Sequence, residues 1–214
     1  MSSTTAFIKI GNLVFSFLIG ILFFYITSSS TKQEKKQQID QFMSYLINFI
    51  LFIWAGKIMI HIQIFFQDPF AVLAYPSDSR SVYIATTLLI IQLMYRKVRK
   101  QLFVSQLVNT LIPIFLATSF VYEFIALTIM NNKTALQNLL LITVLILVYL
   151  FLQDKLKNNY VATLIGLVYS IVHIVFYFIG DYTIVFGYML HPIYFMSILL
   201  LIVYNFIYDQ RNSI

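Results

Sequence analysis

The chain contains no cysteine and little charge of either sign. Only 10% of its 214 residues are Asp, Glu, Lys or Arg, whereas a soluble domain has about 25% charged residues. The lack of cysteine excludes disulfide bonds, thiolate catalysis and cysteine-ligated zinc or iron–sulfur centres. The sequence also lacks a phosphate-binding glycine loop and a Gly-x-Ser-x-Gly nucleophile motif. It therefore indicates no cofactor.

Apolar residues are what the chain has in excess, at 60% of the total, and this composition is typical of an integral membrane protein. Seven apolar runs predict helices that cross about 30 Å of hydrocarbon, two of them short. We therefore predict an all-α integral membrane protein with seven transmembrane helices, in which residues 1–214 form a single transmembrane domain. The runs are 6–28, 42–66, 81–95, 102–130, 138–153, 160–179 and 184–206.

The basic residues predict the orientation of these helices. Ten Lys and Arg residues fall on one side of the membrane and three on the other, and the more basic side is the cytoplasmic one. The N-terminus is therefore predicted outside and the C-terminus in the cytoplasm. The basic residues lie in short loops, and no basic face or domain indicates binding to nucleic acid. The two sets are Lys32, Lys35, Lys36, Arg96, Lys97, Arg99, Lys100, Lys155, Lys157 and Arg211, and then Lys9, Arg80 and Lys133.

Five ionisable side chains fall inside the apolar runs: Lys57, His61, Glu123, His173 and His191. Counted along the predicted helices, they lie about 8–14 Å below the outer membrane boundary. Lys57 and His61 are four residues apart and share a helix face. Because an ionisable group in hydrocarbon is costly, it is by default a functional-site hypothesis. We predict that the five line one polar cavity in the outer half of the membrane.

Each of the five also has a purely structural interpretation. Lys57 and Glu123 are predicted to form an ion pair, because an isolated charge at this depth costs several kcal/mol. His173 is equally explained as a helix-packing residue, and His61 as a residue that meets water near the interface. His191 precedes a proline, which favours a kink. A metal site is not indicated, because no His-x-x-x-His or Glu-x-x-His pair is present.

Several short segments together share the pattern of a known family. In chain order they resemble prolipoprotein diacylglyceryl transferase, the bacterial membrane enzyme that lipidates lipoprotein precursors. The resemblance implies a multi-pass protein of the bacterial cytoplasmic (cell) membrane, whose partners are a membrane phospholipid such as phosphatidylglycerol and a lipoprotein precursor. The segments are Ala55-Gly56-Lys57, Asp68-Pro69 with the apolar Ala71-Val72-Leu73-Ala74, Pro113, Thr134-Ala135-Leu136-Gln137, Tyr169-Ser170-Ile171-Val172-His173 and Gly187-Tyr188-Met189-Leu190-His191.

The chain departs from this family at the residues that matter for catalysis. Three arginine positions of the family are occupied here by Lys57, Glu123 and His173. Arginine binds phosphate through a planar fork, and a glutamate in that place would repel it. The family's His-Gly-Gly segment is also missing. The resemblance therefore implies a diverged, transferase-like member, a pseudoenzyme of lipoprotein biogenesis, which binds a phospholipid or lipopeptide in an outer-leaflet polar cleft without the ordinary reaction.

The five residues receive roles within that hypothesis. His61 and His173 are the candidate catalytic bases for any remaining chemistry, because a histidine pKa lies near working pH. Lys57, Glu123 and His191 are the candidate lipid- or ligand-binding residues, with Lys57 holding an anionic headgroup. Two other function classes stay open: a non-catalytic interaction or regulatory membrane protein, and a small transporter, since Lys, Glu and His relay protons in membranes. The sequence leaves open whether the protein is an enzyme.

Overall fold

A computed structural model describes residues 3–74, 77–99, 104–180 and 183–211. Lys100, from the predicted basic loop, lies outside the described residues. The described chain is almost entirely helical. Its elements are α1 (Ser3–Thr27), α2 (Lys32–Ile60), α3 (Ile62–Gln67), α4 (Pro69–Ala74), α5 (Ser79–Val98), α6 (Val104–Thr128), α7 (Ala135–Leu152), α8 (Asn158–Gly180), β1 (Thr183–Val185), β2 (Tyr188–Leu190) and α9 (Pro192–Arg211).

Five of the described helices are long and apolar enough to cross a membrane. The protein is therefore a predominantly helical, multi-pass membrane protein, as its composition predicts. Two of the predicted spans, those in α5 and α9, are not among the five; the apolar part of α9, Pro192–Ile207, is shorter. The five segments are Phe7–Thr27, Lys32–Ile60, Gln106–Thr128, Ala135–Leu152 and Asn159–Gly180.

The helix predicted over 42–66 begins earlier and is interrupted. It begins at Lys32 because Thr31 and Glu34 cap its first turn reciprocally: Thr31 N donates to Glu34 Oε2 (2.9 Å) and Glu34 N donates to Thr31 Oγ1 (3.4 Å). At the other end, His61 leaves the helical conformation, with φ −115° and ψ 38°. The prediction of one continuous helix through Lys57 and His61 is therefore wrong, since α2 ends between them.

The prediction of a helix from Ile184 onward is also wrong, because a β-hairpin occupies its first turns. Strands β1 and β2 are antiparallel, and Val185 pairs with Tyr188, which leaves Phe186 and Gly187 as a two-residue loop. Both loop residues have positive φ, 48° and 82°, as a type I′ hairpin turn requires. Thr, Ile and Val in β1 favour a strand. The depth counted for His191 along that helix therefore does not apply.

The chain divides into two compact units. Unit 1 is Met1–Lys35 with Val108–Ile214, and unit 2 is Lys36–Leu107. In unit 2, α2 and α5 approach closely at Gly56, where a Cβ would lie 3.1 Å from the carbonyl oxygen of Ser81. The side chain of Asp78 accepts from Ser81 N at 2.9 Å and so caps the first turn of α5.

The core of unit 1 lies where α6, α7 and α8 meet. In the same unit, α1 approaches α6 at Gly20, where a Cβ would collide with the side chain of Thr118 and lie 2.7 Å from the carbonyl oxygen of Ile114. Small residues at such crossings let helices pack in a membrane, where no hydrophobic effect drives their association. The buried apolar side chains of the core are Leu116, Leu141, Ile142, Leu145, Val161 and Ile165.

Candidate functional site

Unit 1 contains a small, partly open cavity beside this core, with which it shares Ile142. Three helices each contribute two residues four positions apart, so that each pair faces the cavity from a single helix face. The hairpin supplies the remaining wall, through the last residue of β1 and the first residue of its loop. The lining residues are Ser119 and Glu123 of α6, Asn138 and Ile142 of α7, Tyr169 and His173 of α8, and Val185 and Phe186.

Glu123 is held in this cavity by an amide. Its Oε1 accepts a hydrogen bond from Asn138 Nδ2 at 3.1 Å, and the same amide nitrogen donates to the carbonyl oxygen of Ile184 at 2.7 Å. Glu123 is only 7% exposed. Asn138 therefore connects the carboxylate on α6 to the first strand of the hairpin, and both of its N–H groups are directed at acceptors that the fold supplies.

His173 is fixed by its backbone and by aromatic rings. Its Nδ1 lies 2.9 Å from the carbonyl oxygen of Tyr169. Since a carbonyl only accepts, Nδ1 is the protonated nitrogen, and in the neutral ring Nε2 is then an acceptor. The imidazole lies 4.1 Å from the ring of Tyr169 and 4.9 Å from that of Phe195, centroid to centroid. The ring is thus held in one orientation with one nitrogen in use.

Ser119 carries an unused polar atom into the cavity. The side chain is 6% exposed, and its Oγ has no hydrogen-bond partner among the described residues. A buried hydroxyl without a partner costs about 1–3 kcal/mol, and few native buried polar groups are left in this state. Two other buried hydroxyls of unit 1, those of Thr118 and Ser170, also lack a partner among the described residues, and Ser119 is the one of the three that lines the cavity.

The hairpin loop closes one side of the cavity under backbone strain. Phe186 has φ 48°, a conformation that a bulky residue rarely adopts. Its ring is held by three others, with centroid distances of 6.4 Å to Phe17, 6.0 Å to Phe115 and 5.2 Å to Tyr122. Strained residues tend to cluster at functional sites. The hairpin is tied to α8 as well, because Thr183 Oγ1 donates to the carbonyl oxygen of His173 at 3.1 Å.

The size and charge of the cavity limit what it accepts. The space inside holds about one water molecule. Glu123 is the one acidic side chain among the described lining residues, and none of them is Lys or Arg. The cavity therefore suits a small group that donates hydrogen bonds or carries positive charge.

The five predicted site residues lie in different surroundings. Glu123 and His173 line the same cavity of unit 1. His191 lies in unit 1 but outside the lining: it is exposed, just before α9, where its Nδ1 accepts from Ile193 N at 3.4 Å. Lys57, which is buried, and His61 belong to unit 2. The predicted Lys57–Glu123 ion pair stays a prediction, as do the roles assigned to all five residues.

Of the polar residues that line the cavity, sequence reasoning missed three: Ser119, Asn138 and Tyr169. The signal for two of them was present, since Ser119 and Tyr169 stand four residues before Glu123 and His173 and therefore share their helix faces. Asn138 was harder to find, because it stands at the first position of the predicted apolar run and reads as a boundary residue. The part of the lining that the hairpin supplies was not predicted, because residues 184–206 were assigned to a helix.

Comparison of the chain with protein-family models, with curated proteins and with solved structures gives no match.

Proposed function

We propose that this is a multi-pass protein of the bacterial cytoplasmic membrane that binds the polar group of a phospholipid or lipopeptide in the cavity of unit 1. The proposal keeps the transferase-like ancestry that the sequence resembles, with the ordinary diacylglyceryl transfer lost. One arrangement supports the proposal most directly. Glu123 and His173 come from different apolar helices, and both line one cavity with the unpartnered Ser119 hydroxyl. Each buried polar group costs free energy, and these three share one cavity.

A mass-spectrometric assay of the purified protein tests this proposal. We expect a phospholipid or lipopeptide to be retained at about one molecule per chain. Its retention should fall in Glu123→Gln, which removes the charge but keeps a partner for Asn138. Glu34→Gln is the matched control, because Glu34 is an exposed glutamate of the same unit. Equal lipid content in the wild type and both variants, typical of lipid bound anywhere on the surface, would contradict the proposal.

Loss of the transfer reaction follows from the charge of the site. Diacylglyceryl transfer develops negative charge on the leaving glycerol phosphate, which preorganised positive donors must stabilise. Among the described lining residues the cavity supplies a glutamate and no Lys or Arg, and loss of one such donor costs about 10²–10³ in rate. We therefore expect that the chain does not rescue cells depleted of their own transferase. Rescue, or lipidation of a prolipoprotein peptide in vitro, would show that the reaction survives.

We also propose seven spans, with the N-terminus outside and the C-terminus in the cytoplasm, from the distribution of Lys and Arg. The chain has no native cysteine, so single introduced thiols report topology without background. Lys97→Cys should react with a membrane-impermeant maleimide only after the cells are permeabilised, whereas Lys133→Cys should react in intact cells. Labelling of Lys97→Cys from outside would reverse the orientation.

A proton-coupled carrier is the second candidate, favoured by the size of the cavity. The cavity has space for about one water and is lined by a carboxylate and an imidazole. Proton relays inside membranes are built from such side chains. This candidate predicts a pH-dependent flux in proteoliposomes that Glu123→Gln abolishes, together with no retained lipid. The two assays therefore separate the candidates.

A further inference from the structure

The chemistry of the cavity points to one kind of polar group. We propose that the cavity of unit 1 binds a primary ammonium group, –NH3⁺, of a membrane ligand, and that it selects this group against phosphate and against a methylated amine. The inference rests on the proposed function, because it names the part of the lipid or lipopeptide that enters the site.

The cavity offers at least as many acceptors as an ammonium has donors. A primary ammonium has three N–H donors and no acceptor. Three lining groups can each accept one of them: the carboxylate of Glu123, the unpartnered Oγ of Ser119, and Nε2 of His173, whose Nδ1 is already bound to the carbonyl oxygen of Tyr169. Asn138 and Tyr169, which also carry side-chain oxygens, line the same cavity. Each N–H of the ligand therefore has a candidate partner.

Charge supports the same group. The ligand's positive charge would pair with Glu123, the only acidic residue among the described lining residues, and hydrogen bonds between ionised partners are the strong ones. The rings of Tyr169 and Phe186 also line the cavity, and aromatic rings attract cations through their negative faces. A phosphate would meet the Glu123 carboxylate with no Lys or Arg among the described lining residues to offset the repulsion.

Size excludes the larger cations. The cavity holds about one water, and an ammonium is close to a water molecule in size. A trimethylammonium group is several times larger and has no N–H to donate, so it would leave the Ser119 hydroxyl and the Glu123 carboxylate without partners. The hairpin loop limits expansion on its side, because Asn138 and Thr183 hold the hairpin to α7 and α8.

Two ligands carry the required group: an aminophospholipid headgroup, and the free amino group of a lipopeptide. Matched probes distinguish them. The lipid arm uses phosphatidylethanolamine, phosphatidylcholine and phosphatidylglycerol with identical acyl chains, and the peptide arm uses one diacylated lipopeptide with a free α-amine and its N-acetylated form. Binding of each probe to the full-length protein in detergent is measured by native mass spectrometry.

We expect at least one free-amine probe to bind about tenfold or more tightly than its methylated or acetylated counterpart, as the loss of charge-assisted hydrogen bonds implies. Glu123→Gln should abolish that preference, and Ser119→Ala should reduce it. The preference should survive in two controls, Glu34→Gln and Ser197→Ala, which alter exposed residues of unit 1. Ser119→Ala removes only the Oγ hydroxyl, which has no partner among the described residues, so we expect this variant to fold. It therefore tests the proposal even if Glu123→Gln fails to fold.

The possible failures are distinguishable. Equal binding of free-amine and blocked probes, a preference for phosphatidylglycerol, or a preference that persists in both cavity variants would overturn the ammonium proposal while leaving lipid binding in place. Retention of none of the probes would overturn the proposed function itself.

Discussion

The interior and the exposed surface of unit 1 use the same residue types in opposite ways. His173 is buried against aromatic rings and lines the cavity, whereas His191 is exposed beside the first turn of α9. Glu123 is buried with an amide partner, whereas Glu34 is an exposed helix cap that accepts from Thr31 N. Residue type alone is therefore a poor guide to a site, and the surroundings of the side chain decide.

The same contrast extends to glycine and asparagine. A Cβ on Gly20 would collide with α6, whereas a Cβ on Gly11 of the same helix meets no atom within 4 Å. Asn138 bridges to two other elements, whereas the side chain of Asn205 donates to the carbonyl oxygen of Leu201, four residues earlier in its own helix. Each interior residue thus has a surface counterpart in the same unit, and each pair makes an experiment with its own control.

The histidine pair should show the largest difference. His173→Ala removes a fully buried ring from between Tyr169 and Phe195 and leaves a cavity, which we expect to lower the free energy of unfolding by about 2–4 kcal/mol. His191→Ala, at an exposed position, should change it by less than about 0.5 kcal/mol. Unfolding in mixed micelles, followed by circular dichroism, measures both. Equal effects of the two substitutions would mean that His173 is not packed as described.

The glycine pair should come next. Gly20→Ala forces α1 away from the backbone of Ile114, and overpacking of this kind costs about 1–3 kcal/mol. Gly11→Ala should raise stability by about 0.5–1 kcal/mol, because alanine is the better helix former and nothing obstructs its methyl group. If Gly20→Ala proved as stable as Gly11→Ala, the close approach of α1 and α6 would be wrong.

The asparagine pair should give the smallest difference. Asn138→Leu removes the hydrogen bonds to Glu123 and Ile184, and we expect a loss of about 1–2 kcal/mol, since hydrogen bonds between membrane helices are individually modest. Asn205→Leu should change stability by less than about 0.5 kcal/mol, because the amide of Asn205 is exposed and donates to a carbonyl of its own helix. If Asn138→Leu raised the free energy of unfolding, burying the Asn138 amide would cost more than its two hydrogen bonds contribute.

Much of the fold follows from the sequence because hydrophobic length is a direct signal. The long apolar runs predict helices, and five of the described helices are long enough to cross a membrane. The signal fails where local chemistry overrides hydropathy. Thr31 and Glu34 extend α2 into a charged segment through a capping box, and Phe186-Gly187 turns an apolar run into a hairpin through two positive φ angles.

The candidate site could be predicted from the sequence only in part, because hydropathy marks some of its residues and not others. Ionisable residues in apolar runs are conspicuous, and Glu123 and His173 were found in this way. Ser119, Asn138 and Tyr169 are ordinary in membrane helices, so only their four-residue spacing from another cavity residue, or their contacts in the folded chain, identifies them. His191 shows the converse: depth counted along a predicted helix has no meaning when that segment is a hairpin.

The central claim is that the cavity beside Glu123 admits a cationic amine and rejects an anion. Native mass spectrometry in detergent measures the Kd of the free-amine probes and of phosphatidylglycerol for the wild type, for Glu123→Gln and for the exposed control Glu34→Gln. The account predicts that the wild type and Glu34→Gln bind at least one free-amine probe about tenfold or more tightly than phosphatidylglycerol, and that Glu123→Gln removes most of this preference. A preference that is the same with and without Glu123 would contradict it.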